Sequence, residues 1–391
     1  MFEGAMASRM GLLHTESAFQ ILAKAKALEA EGRSIVHMEI GQPDFKTPAN
    51  IIDAACNAIR GGHTGYTPTP GYPEVREAVA AYAEKYKGIK TSAKEIVMVP
   101  GGKPVMFYTM LMLVEPGDEV IYPNPSFPIY ESCIRFAGGV PVPVPLKAEN
   151  DFRFDIDVFR SLITPKTKLV ILNNPSNPTG GVMGPDDIRK IADILKDYPD
   201  IFVMSDEIYD RLVFDGEVLS IATLPGMKDR TIILDGFSKT YSMTGWRLGY
   251  GILHPELAAH MEMLMVNSNS CSAAFTQMAG LEALTGPQDP VDEMRAEFKR
   301  RRDYLVEALN KIPGISCRLP GGAFYAFPDI SSFGLKSDEY ADRLLIEGGV
   351  AAASGTAFGV FGEGHIRLSY ATSLDNIKTA IERIADFSSK L

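Results

Sequence analysis

The sequence predicts an α/β protein with a mostly parallel seven-stranded sheet in a large domain, and a smaller α+β domain built from the N- and C-terminal segments. Between residues 95 and 286, short apolar runs alternate with helical stretches, the pattern of parallel strands covered on both faces. Beyond residue 290, a long charged amphipathic stretch precedes shorter strands and helices, which predicts a separate unit. A chain of 391 residues that is 46% hydrophobic is long enough for both cores.

The N-terminal region and the large domain divide into elements by apolar spacing and by glycine and proline positions. The predicted N-terminal elements are helices at 17–32, 48–60 and 73–86 and a strand at 35–40. Seven apolar runs predict the large sheet, at 96–99, 119–122, 140–144, 168–172, 202–205, 231–234 and 248–253. Helices are predicted between several of these strands, at 103–113, 128–137 and 186–196.

The C-terminal region begins after a boundary at 287–290, which contains two prolines. Its predicted elements are helices at 291–312, 337–347 and 374–387 and strands at 315–318, 323–327 and 365–370. We therefore expect residues 1–47 to form the N-terminal segment of the small domain. Residues 48–288 would form the large domain, and residues 289–391 the C-terminal part of the small one.

Composition excludes several classes of protein. A net charge of −10 with no long basic run argues against a nucleic-acid-binding surface. No apolar stretch approaches 18 residues, which argues against a membrane span, and Met1 to Met10 lacks the pattern of a secretory signal. The four cysteines are far apart and form no cluster with histidine, so no metal site is expected and a reducing, cytoplasmic location is the default.

The strongest chemical signal is Lys239, which follows the apolar run 231–234 and an Asp-Gly pair. A lysine at the end of a buried strand loses solvation, which favours the neutral, nucleophilic amine. The Ser238 hydroxyl and the Arg247 guanidinium lie near it in sequence and suit a phosphate. An amine beside a phosphate site is what a pyridoxal phosphate Schiff base needs. The alternative is a solvated surface turn, the usual state of an isolated Ser-Lys pair.

Two glycine- or proline-rich loops follow predicted strands. Gly101, Gly102 and Lys103 join a strand to a helix, whose free N–H groups can hold a phosphate. Asn177 lies in NNPSNPTG at 173–180, in a loop at the carboxyl end of a strand, where open α/β sheets bind ligands. The alternative for each loop is a plain turn with no ligand, which is the favoured interpretation of the Gly-Gly turn taken alone.

Two charged residues lie in apolar strands. Asp206, at the end of the strand 202–205, needs a cationic or donating partner, which a protonated pyridine nitrogen would supply. Its alternative role is a helix N-cap. Arg367 lies inside the strand 365–370, and its planar guanidinium suits a carboxylate ligand. The alternative there is an internal ion pair.

Eight strings occur together in one order: IGQPD at 40–44, YTPTPG at 66–71, GGK at 101–103, NNPSNPTG at 173–180, SDEIY at 205–209, SK at 238–239, GWRLG at 245–249 and IRLSY at 366–370. In order and spacing they resemble the pyridoxal phosphate-dependent aminotransferases of classes I and II, which have the aspartate aminotransferase fold (fold type I). The resemblance extends over nearly the whole chain. It implies a ping-pong aminotransferase that uses an L-amino acid and a 2-oxo acid such as 2-oxoglutarate.

The resemblance also implies roles for individual residues. Lys239 matches the lysine that forms the Schiff base and shuttles the proton, Asp206 the partner of the pyridine nitrogen, and Tyr209 and Asn177 the donors to the phenolic oxygen. Phe127 matches the aromatic residue that stacks on the ring. The implied phosphate ligands are Gly101, Gly102, Lys103, Ser238 and Arg247, with Tyr66 reaching the phosphate of a neighbouring subunit. A homodimer with shared active sites is therefore expected.

The substrate residues implied by the resemblance are Arg367, which grips the α-carboxylate, Gly41, Asn177 and Phe19. Phe19 and Phe127 stand where related enzymes often have a small polar residue and tryptophan, and the segment 267–272 has no arginine. These differences favour a neutral or aromatic donor, with aspartate left open. Two alternatives stay open as well: another pyridoxal phosphate reaction (β-lyase, cyclase, decarboxylase or oxidase), and a non-catalytic regulator.

Overall fold

The computed structural model describes residues 6–13 and 17–391 and has the predicted α/β architecture. The expectation that Met1 to Met10 lacks a secretory signal falls partly on residues 1–5, which lie outside the described residues. The strands, in chain order, are β1 (Val36–His37), β2 (Ile96–Val99), β3 (Glu119–Asn124), β4 (Val140–Pro145), β5 (Thr167–Asn173), β6 (Phe202–Asp206), β7 (Thr231–Gly236), β8 (Gly249–Ile252), β9 (Tyr325–Ala326), β10 (Val350–Ala351), β11 (Ala353–Ser354) and β12 (Ile366–Ser369).

The α-helices of the described residues flank these strands. In chain order they are α1 (Ser17–Ala30), α2 (Ala49–Arg60), α3 (Pro73–Lys87), α4 (Lys103–Leu113), α5 (Ile129–Phe136), α6 (Ile156–Leu162), α7 (Pro185–Leu195), α8 (Pro255–Ser268), α9 (Ala274–Thr285), α10 (Asp289–Leu309), α11 (Ser337–Arg343) and α12 (Leu374–Ser388). Within residues 6–13 and 17–391, none of the helices has both the length and the apolar character needed to cross a membrane.

The large sheet has seven strands in the order β2-β8-β7-β6-β5-β3-β4, and only β8 runs antiparallel to its neighbours. The strands β5, β6 and β7 are almost wholly buried because helices cover both faces of the sheet. Their carboxyl ends therefore meet at one edge, where Asn173 pairs with Asp206 and Asp206 with Leu234. This edge is where open parallel sheets bind ligands.

The two ends of the chain come together beside the large sheet. Strand β1 pairs in parallel with β10, while β11, β12 and β9 form a three-stranded sheet. Val36 and Met38 share one apolar core with Phe298 and Leu368. We propose on this basis the division into residues 1–47 and 289–391 as one domain and residues 48–288 as the other.

The strand predicted at 315–318 is wrong. Only Ser316 forms a β-bridge there, to Asp329. The Asn310 side chain instead donates to the Cys317 carbonyl at 3.0 Å and accepts from the Cys317 N–H at 2.8 Å. Because a side chain satisfies both backbone groups of Cys317, no neighbouring strand is needed.

Candidate active site

A cavity of about 500 Å³ opens at the carboxyl edge of the large sheet. The predicted site residues that line it are Phe19, Gly41, Gly102, Lys103, Phe127, Asn177, Asp206, Tyr209, Ser238, Lys239, Arg247 and Arg367. Gly101 lies directly behind Arg247. Tyr66 does not line the cavity and has 91% of its surface exposed. Residues that are far apart in sequence therefore meet in one cavity, which has the volume of a small-molecule site.

Lys239 lies three residues beyond the end of β7 and projects its amine across the cavity. Its Nζ atom donates a hydrogen bond to the Gly41 carbonyl. The same atom lies 5.8 Å from the centre of the Tyr209 ring and 5.5 Å from that of Phe324. The amine is thus held between a carbonyl and two aromatic rings, and the solvated surface turn considered for this lysine is wrong.

An anion-binding corner lies where β2 turns into α4. Gly101 has a φ of +85°, and a methyl group there would collide with the Arg247 guanidinium, so the turn requires glycine. Helix α4 begins at Lys103 and has Pro104 as its second residue, and the Val105 N–H donates to the Gly102 carbonyl at 3.1 Å. Ser238 and Arg247 line the same corner. The positive end of a helix, a hydroxyl and a guanidinium at one corner would suit a phosphate.

Asp206 ends β6 with only 6% of its surface exposed. Its carboxylate accepts hydrogen bonds from the Tyr130 hydroxyl at 2.5 Å and from the Ile208 N–H at 3.2 Å. Burial raises the pKa of Asp206 to about 6, and the Tyr130 hydrogen bond partly opposes this rise. A turn, rather than a helix, follows Asp206, so the alternative role as a helix N-cap is wrong.

Arg367 comes from β12 and is 4% exposed. Its Nη1 donates to the Asn177 side-chain oxygen at 3.1 Å, and its Nη2 donates to the Glu39 carbonyl. The guanidinium carbon lies 4.6 Å from the Tyr325 ring centre and 4.7 Å from that of Phe358. Two aromatic faces and two oxygens fix the plane of the guanidinium in the cavity.

Phe127 and Lys103 lie next to each other in the lining of the cavity. The Lys103 Nζ lies 5.5 Å from the centre of the Phe127 ring, which packs edge-on against Tyr130 at 5.8 Å. Phe19, at the start of α1, lines the cavity while 61% of its surface is exposed. The rings of Phe127 and Phe19 thus add apolar surface to the cavity lining.

Tyr130 and Tyr325 are among the site residues that were missed in the sequence. Tyr130 binds Asp206, and the Tyr325 hydroxyl lies 2.8 Å from that of Tyr209. A side chain on Gly41 would also collide with the Tyr325 hydroxyl. Tyr130 lies three residues after Phe127, and this spacing could have indicated that both side chains face the same site. The approach of Tyr325 to Tyr209 depends on tertiary packing, so no sequence pattern indicated it.

The segment 267–272 lies away from this cavity, next to Tyr66. The Thr67 N–H lies 3.5 Å from the Cys271 sulfur, and Gln277 donates to the Ser272 carbonyl and to the Thr67 hydroxyl, each at 2.9 Å. None of these residues lines the cavity of the same chain. The segment around Tyr66 and the segment 267–272 therefore lie against each other, outside the cavity.

The cavity thus contains the Lys239 amine, the buried Asp206 carboxylate and a corner suited to a phosphate. An aldehyde-bearing, phosphorylated pyridine requires these three groups, for its aldehyde carbon, its ring nitrogen and its phosphate respectively. In the described part of the chain, no group of three histidine, cysteine, aspartate or glutamate side chains is suited to hold a metal ion. The donor set therefore fits pyridoxal phosphate.

Comparison with known proteins identifies the family. The family "Aminotransferase class I and II" matches residues 33–384. The aspartate aminotransferase of Geobacillus stearothermophilus is 37% identical over 98% of both chains. The crystal structure of the aspartate aminotransferase from Rhizobium meliloti matches with a TM-score of 0.95 and 35% identity over 99% of both chains. The aromatic aminotransferase of Pyrococcus horikoshii OT3 matches with a TM-score of 0.89 and 37% identity, over 93% of this chain and 98% of the other.

These relatives are all named as aminotransferases, and their names give no support to a lyase, cyclase, decarboxylase or oxidase reaction. The matches extend over almost the full length of each protein, so they include the cavity and every strand that borders it. The chain therefore belongs to the class I and II aminotransferases, and it is a pyridoxal phosphate-dependent enzyme that transfers an amino group between a small amino acid and a 2-oxo acid.

Proposed function

We propose that this enzyme moves the amino group of an L-amino acid to 2-oxoglutarate in two half-reactions at one site. The observation that supports the proposal is the meeting of Lys239, Asp206 and Arg367 in one cavity of about 500 Å³. An amine, a buried carboxylate and a buried guanidinium suffice to hold the cofactor, keep its ring electron-poor and orient an amino acid. Donor and acceptor would use the same Arg367, which requires that they bind in turn.

Pyridoxal phosphate, when bound, supplies an electron sink for the Cα of the amino acid. Lys239 would hold it covalently, and the freed Nζ amine would then take the proton from Cα. Asp206 would keep the ring nitrogen protonated, Tyr209 would donate to the phenolic oxygen, and Phe127 would stack on the ring. The phosphate would be held by Gly101, Gly102, Lys103, Ser238 and Arg247.

Asn177 has two partners that fix its orientation. Its backbone N–H donates to the Asn173 side chain at 2.9 Å, and its side-chain oxygen accepts from Arg367. Because the oxygen faces Arg367, the amide NH₂ is left to donate to a ligand. This supports a role for Asn177 between the phenolic oxygen of the cofactor and the substrate carboxylate.

Arg367 would hold the α-carboxylate through its planar fork. The stacking rings Tyr325 and Phe358 keep the guanidinium in place before substrate arrives, so little freedom is lost on binding. The Gly41 backbone borders the same position. Such a clamp would orient the Cα–H bond for cleavage.

We propose that Lys103 also meets the second carboxylate of 2-oxoglutarate. Its side-chain amine faces the cavity beside Phe127, while its backbone begins α4 at the phosphate corner. The apolar Phe19 and Phe127 would accept the side chain of a neutral or aromatic donor, and Lys103 would let aspartate bind as well. The donor class therefore depends on which of these contacts dominates.

We further propose a homodimer with shared active sites. Tyr66 is 91% exposed beside the segment 267–272, and the apolar Met263 and Val266 of α8 are 61% and 54% exposed nearby in sequence. Exposed apolar side chains next to an aromatic anchor are typical of an interface. A second copy would cover them and would bring Tyr66 to the partner's phosphate corner.

A substrate panel tests this function. The common amino acids would be assayed with 2-oxoglutarate, pyruvate and oxaloacetate as acceptors, using both the native enzyme and Lys103→Met. We expect 2-oxoglutarate to be the best acceptor, and Lys103→Met to lower kcat/KM for it about tenfold or more while leaving pyruvate nearly unchanged, because only 2-oxoglutarate has a second carboxylate. Equal losses with both acceptors would remove Lys103 from the distal site.

A further inference from the structure

A buried ionic cluster lies behind the active site, on the opposite face of the sheet. Lys87, the last residue of α3, has a side chain that is 3% exposed. Its Nζ contacts Asp210 at 2.6 Å, Asp235 at 2.9 Å and Glu207 at 3.1 Å, and all three carboxylates are less than a tenth exposed. One buried ammonium group thus joins three buried carboxylates.

Hydrogen bonds hold this cluster in a defined arrangement. Glu207 accepts from the hydroxyls of Ser205 at 2.9 Å and Ser220 at 2.6 Å. Asp235 accepts from the Tyr250 hydroxyl at 2.8 Å and from the Gly236 N–H at 2.6 Å. Four hydrogen bonds thus hold Glu207 and Asp235, whereas the buried Oδ1 of Asp210 has no hydrogen-bond partner in the described residues. The cluster is a feature of the core rather than a surface contact.

The charges of the cluster do not cancel. If all three carboxylates were ionised, Lys87 would neutralise only one of them, which is costly in a buried site. Burial raises the pKa of Asp235 to about 7, and the charge of Lys87 opposes that rise. Burial lowers the pKa of Lys87, but the three carboxylates outweigh it and leave the net pKa well above its usual value, so the ammonium stays charged.

The other ionisable groups around the cluster leave Lys87 as its central cation. Four other ionisable side chains interact electrostatically with Lys87 or with the carboxylates of the cluster: Tyr82 of α3, Tyr250 of β8, Tyr241 and Arg211. The ionisable side chains that interact with Asp206 are Tyr130, Tyr209, Glu207 and Lys239. Arg211 also lies 3.8 Å from Asp292 and over the Tyr86 ring, so it is shared with other partners.

The cluster adjoins the active site through two strands. Successive side chains of a strand point to opposite faces, so Glu207 faces Lys87 while the preceding residue, Asp206, faces the cavity. Asp235 lies in β7, four residues before Lys239. The charge of Glu207 also adds to the rise in the pKa of Asp206. Glu207, which contacts Lys87, is thus adjacent in sequence to the carboxylate proposed to hold the ring nitrogen.

We propose that Lys87 is a positioning residue for the active site, whose buried charge offsets Glu207, Asp210 and Asp235 so that Asp206 stays ionised at the carboxyl edge of the sheet. The inference rests on the proposed role of Asp206 as partner of the cofactor ring nitrogen. Loss of the Lys87 charge would leave uncompensated carboxylates behind Asp206 and favour its neutral form. Loss of one carboxylate would have the opposite effect.

The test measures cofactor affinity against pH, by titrating the protein with pyridoxal phosphate and following the visible absorbance. The variants are Lys87→Met, Asp235→Asn and the double variant, with the exposed Lys85→Met as control. We expect the lower pH midpoint of binding to rise by about one unit in Lys87→Met, to fall in Asp235→Asn and to return towards the native value in the double variant. Lys85→Met should match the native protein.

Asp206→Asn separates this inference from the proposed function, since it removes the carboxylate itself. If that variant keeps the native midpoint, the proposed role of Asp206 fails. If it abolishes the midpoint while the Lys87 and Asp235 variants keep it, only the charge-balance inference is overturned. The charge-balance inference would also be overturned if the double variant had a higher pH midpoint of binding than Lys87→Met. Added losses of this kind are expected if the cluster only supports the fold. Should Lys87→Met not fold, the direction of the Asp235→Asn shift decides alone.

Discussion

Burial of ionisable side chains determines how the site behaves at the residue scale. Asp206 is 6% exposed, and its carboxylate has a hydroxyl and an N–H as partners. Arg367 is equally enclosed, between two rings and two oxygens. Such groups hold their positions before any ligand binds, and their burial lowers the stability of the fold.

The raised pKa of Asp206 predicts a pH-dependent cost in the cofactor-free protein. Its pKa is about 6 in the folded state and 3.8 as the usual value, so the folded state holds the proton more tightly. Stability is therefore lost as pH rises through this window, and Asp206→Asn removes the loss. We expect the unfolding free energy of Asp206→Asn relative to the native protein to increase by about 2 kcal/mol between pH 4.5 and 7. Urea unfolding at both pH values measures it, and a constant difference would contradict the assignment.

Arg367→Ala should act on the reaction rather than on the fold. Removal of the guanidinium leaves the substrate α-carboxylate unpaired in a buried site, so we expect kcat/KM to fall by about 3 kcal/mol, or more than a hundredfold. Arg367→Lys keeps the charge but not the planar fork, so its kcat/KM should lie between those of the native enzyme and Arg367→Ala. Steady-state kinetics with saturating cofactor measures the loss, and an unchanged kcat/KM would exclude the carboxylate clamp.

At the scale of elements, the turn from β2 into α4 forms the proposed phosphate corner. Its geometry depends on Gly101, which has a positive φ and no room for a side chain beside Arg247. We expect Gly101→Ala to reduce stability by about 1–2 kcal/mol and to weaken cofactor binding, because Arg247 must move. Gly245→Ala, at a position with open space, is the matched control. Thermal unfolding and absorbance titration report the two effects, and equal behaviour of both variants would contradict the steric argument.

Elements set by local pattern were predictable from the sequence. Strand β2 and helix α4 have the predicted bounds, because an apolar run, a glycine pair and a proline define them locally. The residues that follow each strand, such as Asp206 and Lys239, could be placed in one cavity because parallel strands end at one edge. The segment 315–318 could not be predicted, because the Asn310 side chain replaces a neighbouring strand there. Tyr325 was also missed, because its role arises only from tertiary contact with Tyr209.

At the scale of the whole molecule, the proposed dimer predicts complementation between two inactive variants. Tyr66→Ala would damage the partner's phosphate corner, and Lys239→Ala would disable its own subunit. A mixed dimer then has one site with both native residues, so refolding an equal mixture should restore about a quarter of the native activity if subunits pair at random. Activity no greater than the sum of the separate variants would contradict shared sites.

The central claim is that this enzyme transfers amino groups, and the first half-reaction tests it most directly. The holoenzyme would be mixed with a single donor amino acid and no acceptor, while the cofactor absorbance and the released oxo acid are measured. We predict one oxo acid per subunit, with loss of the yellow absorbance and its full return when 2-oxoglutarate is added. Continued release of oxo acid or ammonia without an acceptor would contradict the claim.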